Sequence, residues 1–95
     1  MNNAPTAREV ADIKHQYPQG TRIELELMVD SYAVPPGTRG TVDHVDDAGQ
    51  IHMRWENGRT LAVIPGVDSF RKLTPQDIQQ EQQGMTTLKM EEQSL

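Results

Sequence analysis

The clearest pattern in the chain is an alternation. Across Thr21–Met28, Ile23, Leu25 and Leu27 alternate with Arg22, Glu24 and Glu26, the period of two that marks a half-buried strand with one wet face. Residues Asp30 to Gly37 include Pro35, Pro36 and Gly37 and read as a loop. A second strand is predicted from Arg39 to about Val45. Its apolar positions Val42 and Val45 are three apart, which predicts a bulge near His44. Asp46-Asp47-Ala48-Gly49 is turn chemistry, and a third strand follows over Gln50–Trp55 with Ile51, Met53 and Trp55 inward. Trp55 therefore reads as core. Asn57-Gly58 is the strongest hairpin signal in the chain, because both residues tolerate the positive φ of a tight turn. A fourth strand is expected over Arg59–Ile64, and a brief fifth from Phe70 to Leu73, after the turn at Pro65-Gly66.

Helix signals appear at the two ends. Ala7, Val10, Ile13 and Tyr17 form one apolar stripe, and Thr6 with Glu9 has capping-box spacing, which predicts a helix from Ala7 to Gln16. So short a helix must dock on something to persist. Thr74-Pro75-Gln76-Asp77 is a second helix start. Beyond it the chain is Gln-rich with scattered apolar residues, and most of residues 74–95 are expected to be disordered. A second reading of that stretch takes Met85, Leu88 and Met90 as a short binding segment. The organisation is therefore an N-terminal segment with a helix (1–20), a small β domain (21–73) and a polar tail (74–95). The fold class is mainly β: a five-stranded SH3-like barrel, with an open, strongly bent meander as the alternative.

Composition narrows the function. The chain has 95 residues, no cysteine and a net charge of −5, so disulfides and thiolate chemistry are excluded. No apolar run approaches the roughly 20 residues of a membrane span, so no membrane partner is expected and the chain reads as cytoplasmic. Residues 21–73 hold six basic and eight acidic side chains; phosphate neutralisation would need a basic excess. An acidic balance suits solubility, or a protein partner with a basic surface.

Reactive side chains are scattered. His44 and His52 fall on paired strands near Asp43 and Asp46, a conceivable zinc or nickel site, yet without the spacing of an established ligand motif. No nucleophile elbow and no phosphate-cradling glycine loop occurs. The expectation is a non-enzyme without metal or cofactor. Two surfaces remain. One is a protein contact made by Asp30, Tyr32, Pro35 and Pro36 of the long loop with the hairpin carboxylates Asp43, Asp46, Asp47 and Glu56, which are expected to share one end of the domain. The other, an alternative, is a nucleic-acid face made by Arg22, Arg39, Arg54 and Arg59, with Arg71 and Lys72 nearby.

Five separate motifs carry a family resemblance. Tyr17-Pro18-Gln19-Gly20-Thr21-Arg22, Pro35-Pro36-Gly37-Thr38-Arg39-Gly40-Thr41-Val42, Val45-Asp46-Asp47-Ala48-Gly49-Gln50-Ile51-His52, Trp55-Glu56-Asn57-Gly58 and Ile64-Pro65-Gly66-Val67-Asp68-Ser69-Phe70 together resemble the bacterial domain of unknown function 4314 family. The resemblance implies an SH3-like barrel of bacterial mobile elements, phages and plasmids, and brings no catalytic residues. It also suggests a role as an acidic inhibitor of a host defence system, such as an anti-CRISPR protein, by analogy rather than by chemistry.

Overall fold

The computed structural model describes residues 4–83, which form one antiparallel sheet and two helices. Helix α1 (Ala7–Gln16) begins at a complete capping box: Glu9 N–H donates to the Thr6 hydroxyl at 3.1 Å, and Thr6 N–H donates to the Glu9 carboxylate at 3.2 Å. Strands β1 (Arg22–Leu27), β2 (Arg39–Val45), β3 (Ile51–Trp55) and β4 (Ser69–Lys72) follow. The sheet order is β3-β2-β1-β4.

The expected five-stranded closure is replaced by an open sheet of four strands. Residues 59–64 do not form a regular strand. They touch β3 at two places: an antiparallel bridge in which Ile51 and Val63 exchange both backbone hydrogen bonds at 2.9 Å, and the Trp55 N–H, which donates to the Arg59 carbonyl at 2.9 Å. The reason lies in competing demands on this backbone. The Leu61 carbonyl accepts from the Trp55 indole N–H at 2.8 Å, so it is satisfied by a side chain rather than by a ladder.

Two bulges set which side chains point inward. In β2, Val42 pairs with Met53 and His44 with His52, leaving Asp43 as the extra residue; this is the predicted bulge. In β1, Leu25 pairs with Phe70 and Leu27 with Ser69, leaving Glu26 extra. That second bulge was not visible in the alternation, and it reverses the parity beyond it. Leu27, expected inward, is 58% exposed, and Met28 enters the core instead.

The core consists of Ile23, Leu25, Met28, Val34, Val42, Ile51, Met53, Trp55 and Val63. Val34 comes from the proline-containing loop and is fully buried, so that loop also plugs the sheet. Helix α1 docks through Val10, Ile13 and Tyr17. Tyr17 meets Phe70 edge-on at 5.7 Å, and Lys72 sits 4.9 Å from the Tyr17 ring centre while donating to the Gln16 carbonyl at the helix end. Gly49, at φ 82°, makes the turn below α1, where an added Cβ would lie 3.2 Å from Pro5.

Residues 75–83, within the stretch expected to be mostly disordered, form a second helix, α2. It starts where Thr74 and Pro75 predict, with Asp77 N–H donating to the Thr74 hydroxyl at 3.1 Å. Its attachment is electrostatic and is described below. Met85, Leu88 and Met90 lie outside the described residues.

Gly40 is the tightest point of the sheet. A Cβ there would lie 2.7 Å from the Trp55 ring and 2.9 Å from the Arg54 carbonyl oxygen. Gly40→Ala is therefore predicted to destabilise the domain by about 1–3 kcal/mol, as overpacking of a filled interior does, lowering Tm by about 4–8 °C per kcal/mol. Thermal unfolding followed by Trp55 fluorescence measures this.

Candidate functional site: an apolar collar around Asp68

Asp68 is the one buried polar residue among those described, at 8% exposure. Its carboxylate accepts the Val29 N–H through Oδ1 and the Ile64 N–H through Oδ2, each at 2.8 Å. The Asp68 N–H and the Val67 N–H both donate to the Ile64 carbonyl, closing the 64–68 turn on itself. One side chain thus ties the exit of β1 to the turn that leads into β4. With two backbone donors on it, the buried carboxylate is satisfied.

The residues held around Asp68 are apolar and exposed. Leu27 (58%), Val29 (66%), Ile64 (39%) and Val67 (53%) are four of the five large exposed hydrophobics. Leu27 pairs with Ser69, beside Asp68; Val29 and Ile64 are hydrogen-bonded to it; Val67 precedes it. Ile64 and Val67 continue into an open groove of about 410 Å³ bounded by Pro5 and Ile13 on the α1 side and by Gly49. Glu26 and Asp30 are exposed beside the collar.

Tyr32, the fifth, is 77% exposed, and its backbone is fixed. Tyr32 N–H donates to the Asp30 carboxylate at 2.7 Å, and Ala33 N–H donates to the Asp30 carbonyl at 3.2 Å. Arg59 donates to the carbonyls of Tyr32 and, at 3.1 Å, of Ala33. Pro35 and Pro36 are exposed in the same loop.

The hairpin carboxylates do not join this surface. Asp46 and Asp47 lie in the turn between Val45 and Ile51, whereas Glu56 follows Trp55, which pairs with Gly40 at the opposite end of the hairpin. The expectation that Asp43, Asp46, Asp47 and Glu56 share one end is therefore corrected: in an antiparallel pair the two turns are a strand length apart. Each also has an internal partner. Asp46 accepts from Ala48 N–H and Gln50 N–H and pairs with His52 at 2.8 Å; Asp47 pairs with Lys14 at 2.8 Å. Asp43 pairs with His44 at 2.8 Å and with Arg54 at 3.6 Å, and Glu56 pairs with Arg22. The hydrogen bond from His44 holds Asp43 below its usual range, and that from His52 does the same for Asp46.

The imidazoles of His44 and His52 are stacked, 4.4 Å apart and 6° from parallel. Each uses a ring nitrogen on its own aspartate, so they do not converge on a common point. Among the described residues no group of three or more histidine and acidic side chains is arranged to hold a metal ion.

The arginines proposed for nucleic acid are likewise engaged within the chain. Arg59 braces the Tyr32 loop and Arg54 faces Asp43. Arg22 and Arg39 both reach Glu81 of α2 at 3.0 Å, and Arg39 donates through Nε to Glu24 at 2.9 Å. Arg71 contacts Glu24 at 3.3 Å and Asp77 at 3.0 Å. The Arg39 hydrogen bond, aided by Arg71 against the effect of burial, lowers Glu24. Burial pushes Glu81 up, but Arg39 and Arg22 together outweigh it and the net shift is downward. Asp77 is lowered to about 2 by the Thr74 backbone N–H, then by Arg71 and the Thr74 hydroxyl.

Fold and site together define a small four-stranded antiparallel domain, flanked by two helices, that displays an apolar collar and a braced aromatic loop. The chain belongs to the family described as Domain of unknown function (DUF4314), whose model matches residues 6–73. The match runs from the N-cap of α1 to the end of the β4 segment and so includes the first helix. No curated protein and no solved structure matches the chain. No helix among the described residues is long and apolar enough to cross a membrane.

The lowered carboxylates predict how α2 responds to acid. Groups whose pKa falls on docking add stability that is complete above their ordinary values and is lost as pH falls through the docked ones. Attachment of α2 should therefore be intact at neutral pH and weaken below the ordinary glutamate value of 4.5, as Glu81 protonates and leaves Arg22 and Arg39; Asp77, lowered to about 2 first by the Thr74 cap of α2 itself, gives up that cap and its Arg71 pair at still lower pH. The Nε–H resonances of Arg39 and Arg71, followed against Trp55 fluorescence, should change before the core does.

Proposed function

We propose that this protein is a non-catalytic protein-binding module whose contact surface is the Asp68 collar together with Tyr32. The supporting observation is that five bulky apolar side chains stay exposed, and that the backbone at three of them is fixed by charged side chains: Asp68 at Val29 and Ile64, Asp30 and Arg59 at Tyr32. A chain this small gains stability from every apolar group it buries, and an exposed apolar patch on a rigid backbone is the usual mark of an interaction surface. A fixed aromatic loses little freedom on binding, which suits Tyr32 to be an anchor.

The partner would offer an apolar face rimmed by basic groups, because Glu26 and Asp30 border the collar and the chain carries −5 overall. An acidic inhibitor of a host defence system, the role suggested by the family resemblance, would act through this surface. We read the sheet itself as an opened form of the SH3-like barrel, since the Ile51–Val63 bridge sets residues 59–64 beside β3, where the expected fourth strand would lie.

The test compares captured proteins across variants. Tyr32→Ala and Val67→Asp alter exposed side chains and should leave stability within about 0.5 kcal/mol. An anchor of this kind contributes about 2 kcal/mol, so affinity for the captured partner should fall about 30-fold in Tyr32→Ala. His44→Ala, away from the collar, should bind normally. Equal binding by all three variants would contradict the assignment, as would capture that nuclease treatment abolishes.

A further inference from the structure

The outer face of the sheet carries a second arrangement, independent of the collar. Glu24 stands directly opposite Arg39 of β2 and Arg71 of β4. Its two oxygens each take the Nε of one arginine, at 2.9 and 3.3 Å. Held through Nε, each guanidinium keeps its terminal nitrogens for another ligand. That ligand is α2: Arg39 Nη1 meets Glu81 and Arg71 Nη1 meets Asp77, both at 3.0 Å, and Arg22 Nη2 also meets Glu81 at 3.0 Å. Asp77 and Glu81 are four residues apart, neighbours on one helix face. A cross-strand row of arginines, set by Glu24, thus matches two carboxylates one helical turn apart.

The two halves of this match lie in different parts of the chain. Arg22, Glu24, Arg39 and Arg71 fall inside the family match at residues 6–73; α2 lies beyond it. Without α2 the cluster has three arginines against Glu24 and Glu56 and is positive; Asp77 and Glu81 reverse its sign. The pairs are partly exposed and individually weak. The short tether at Leu73-Thr74 makes them sufficient, because it presents α2 to the arginines at a local concentration on the order of millimolar.

We infer that the face formed by Arg22, Arg39 and Arg71 is a docking surface for an acidic helix of a partner protein, one carrying carboxylates four residues apart. Helix α2 is its tethered occupant. A partner helix must displace α2, so binding is attenuated in the free protein and strengthened by whatever loosens that helix.

A hydrocarbon-stapled helical peptide with the sequence of residues 74–83 serves as the probe, titrated into the full-length isotope-labelled chain. In Asp77→Asn/Glu81→Gln protein, it should bind about 10-fold more tightly than in the wild type, with shifts at the Nε–H resonances of Arg22, Arg39 and Arg71. Adding Arg39→Gln to that variant should abolish the gain. The inference is overturned if the double variant binds no better than the wild type. It is also overturned if a peptide with Asn and Gln in place of the two acids binds equally, or if a single-stranded oligonucleotide is taken up in preference to the peptide. Trp55 fluorescence checks that the sheet is intact. Should the double variant unfold, the wild type at millimolar peptide must still show the three arginine shifts, and their absence overturns the proposal. Loss of the collar partner in Tyr32→Ala leaves this outcome unaffected, so the two readings fail separately.

Discussion

One buried carboxylate holds the collar end of this domain together. Asp68 accepts two backbone N–H groups, those of Val29 and Ile64, from segments far apart in sequence, and among the described residues no other side chain links the exit of β1 to the 64–68 turn so directly. Remove it and both donors must find water, at about 1–3 kcal/mol for each one left buried. The consequence runs outward from there. With the backbone fixed at Val29 and Ile64, the side chains of Leu27, Val29, Ile64 and Val67 stay on the surface, Ile64 and Val67 along the rim of the adjoining groove. The inner half of the domain rests on a different constraint, the contact of the Trp55 ring with the bare Cα of Gly40.

These two constraints divide the molecule into a packed interior and two distinct outer surfaces. The collar is apolar with an acidic border. The opposite chemistry appears on the sheet's outer face, where arginines are held in register by Glu24 and neutralised by α2. An acidic chain can in this way contain an organised cationic face, which net charge alone does not reveal. The same acid–base lattice explains why the Gln-rich stretch begins as a helix although it has little apolar surface to bury.

Local chemistry made much of the fold legible. The Thr6–Glu9 capping box, the Val42–Val45 spacing, the Asp-rich and Asn-Gly turns and the inward parity of Trp55 each encode their structure within a few residues. Features that depend on distant partners were not legible. Leu27 continues a perfect alternation, and only the pairing with β4 shows that Glu26 is bulged. Residues 59–64 look like a strand until the Trp55 indole claims the Leu61 carbonyl. Of the site, Tyr32 was readable because a proline-containing loop has little room to bury an aromatic. Asp68 was not, since in Val67-Asp68-Ser69 it resembles any turn former. Ile64 and Val67 offered the available hint: two bulky residues around Pro65-Gly66, where a tight turn has no interior.

The most direct measurement of this account is amide hydrogen exchange at Val29 and Ile64. Both N–H groups should be protected to the level of Ile51 and Val63 in the core bridge, and both should lose protection together in Asp68→Ala. Exchange at the rate of an open loop in the native protein, or independent behaviour of the two amides in the variant, would contradict the claim that one carboxylate builds the collar.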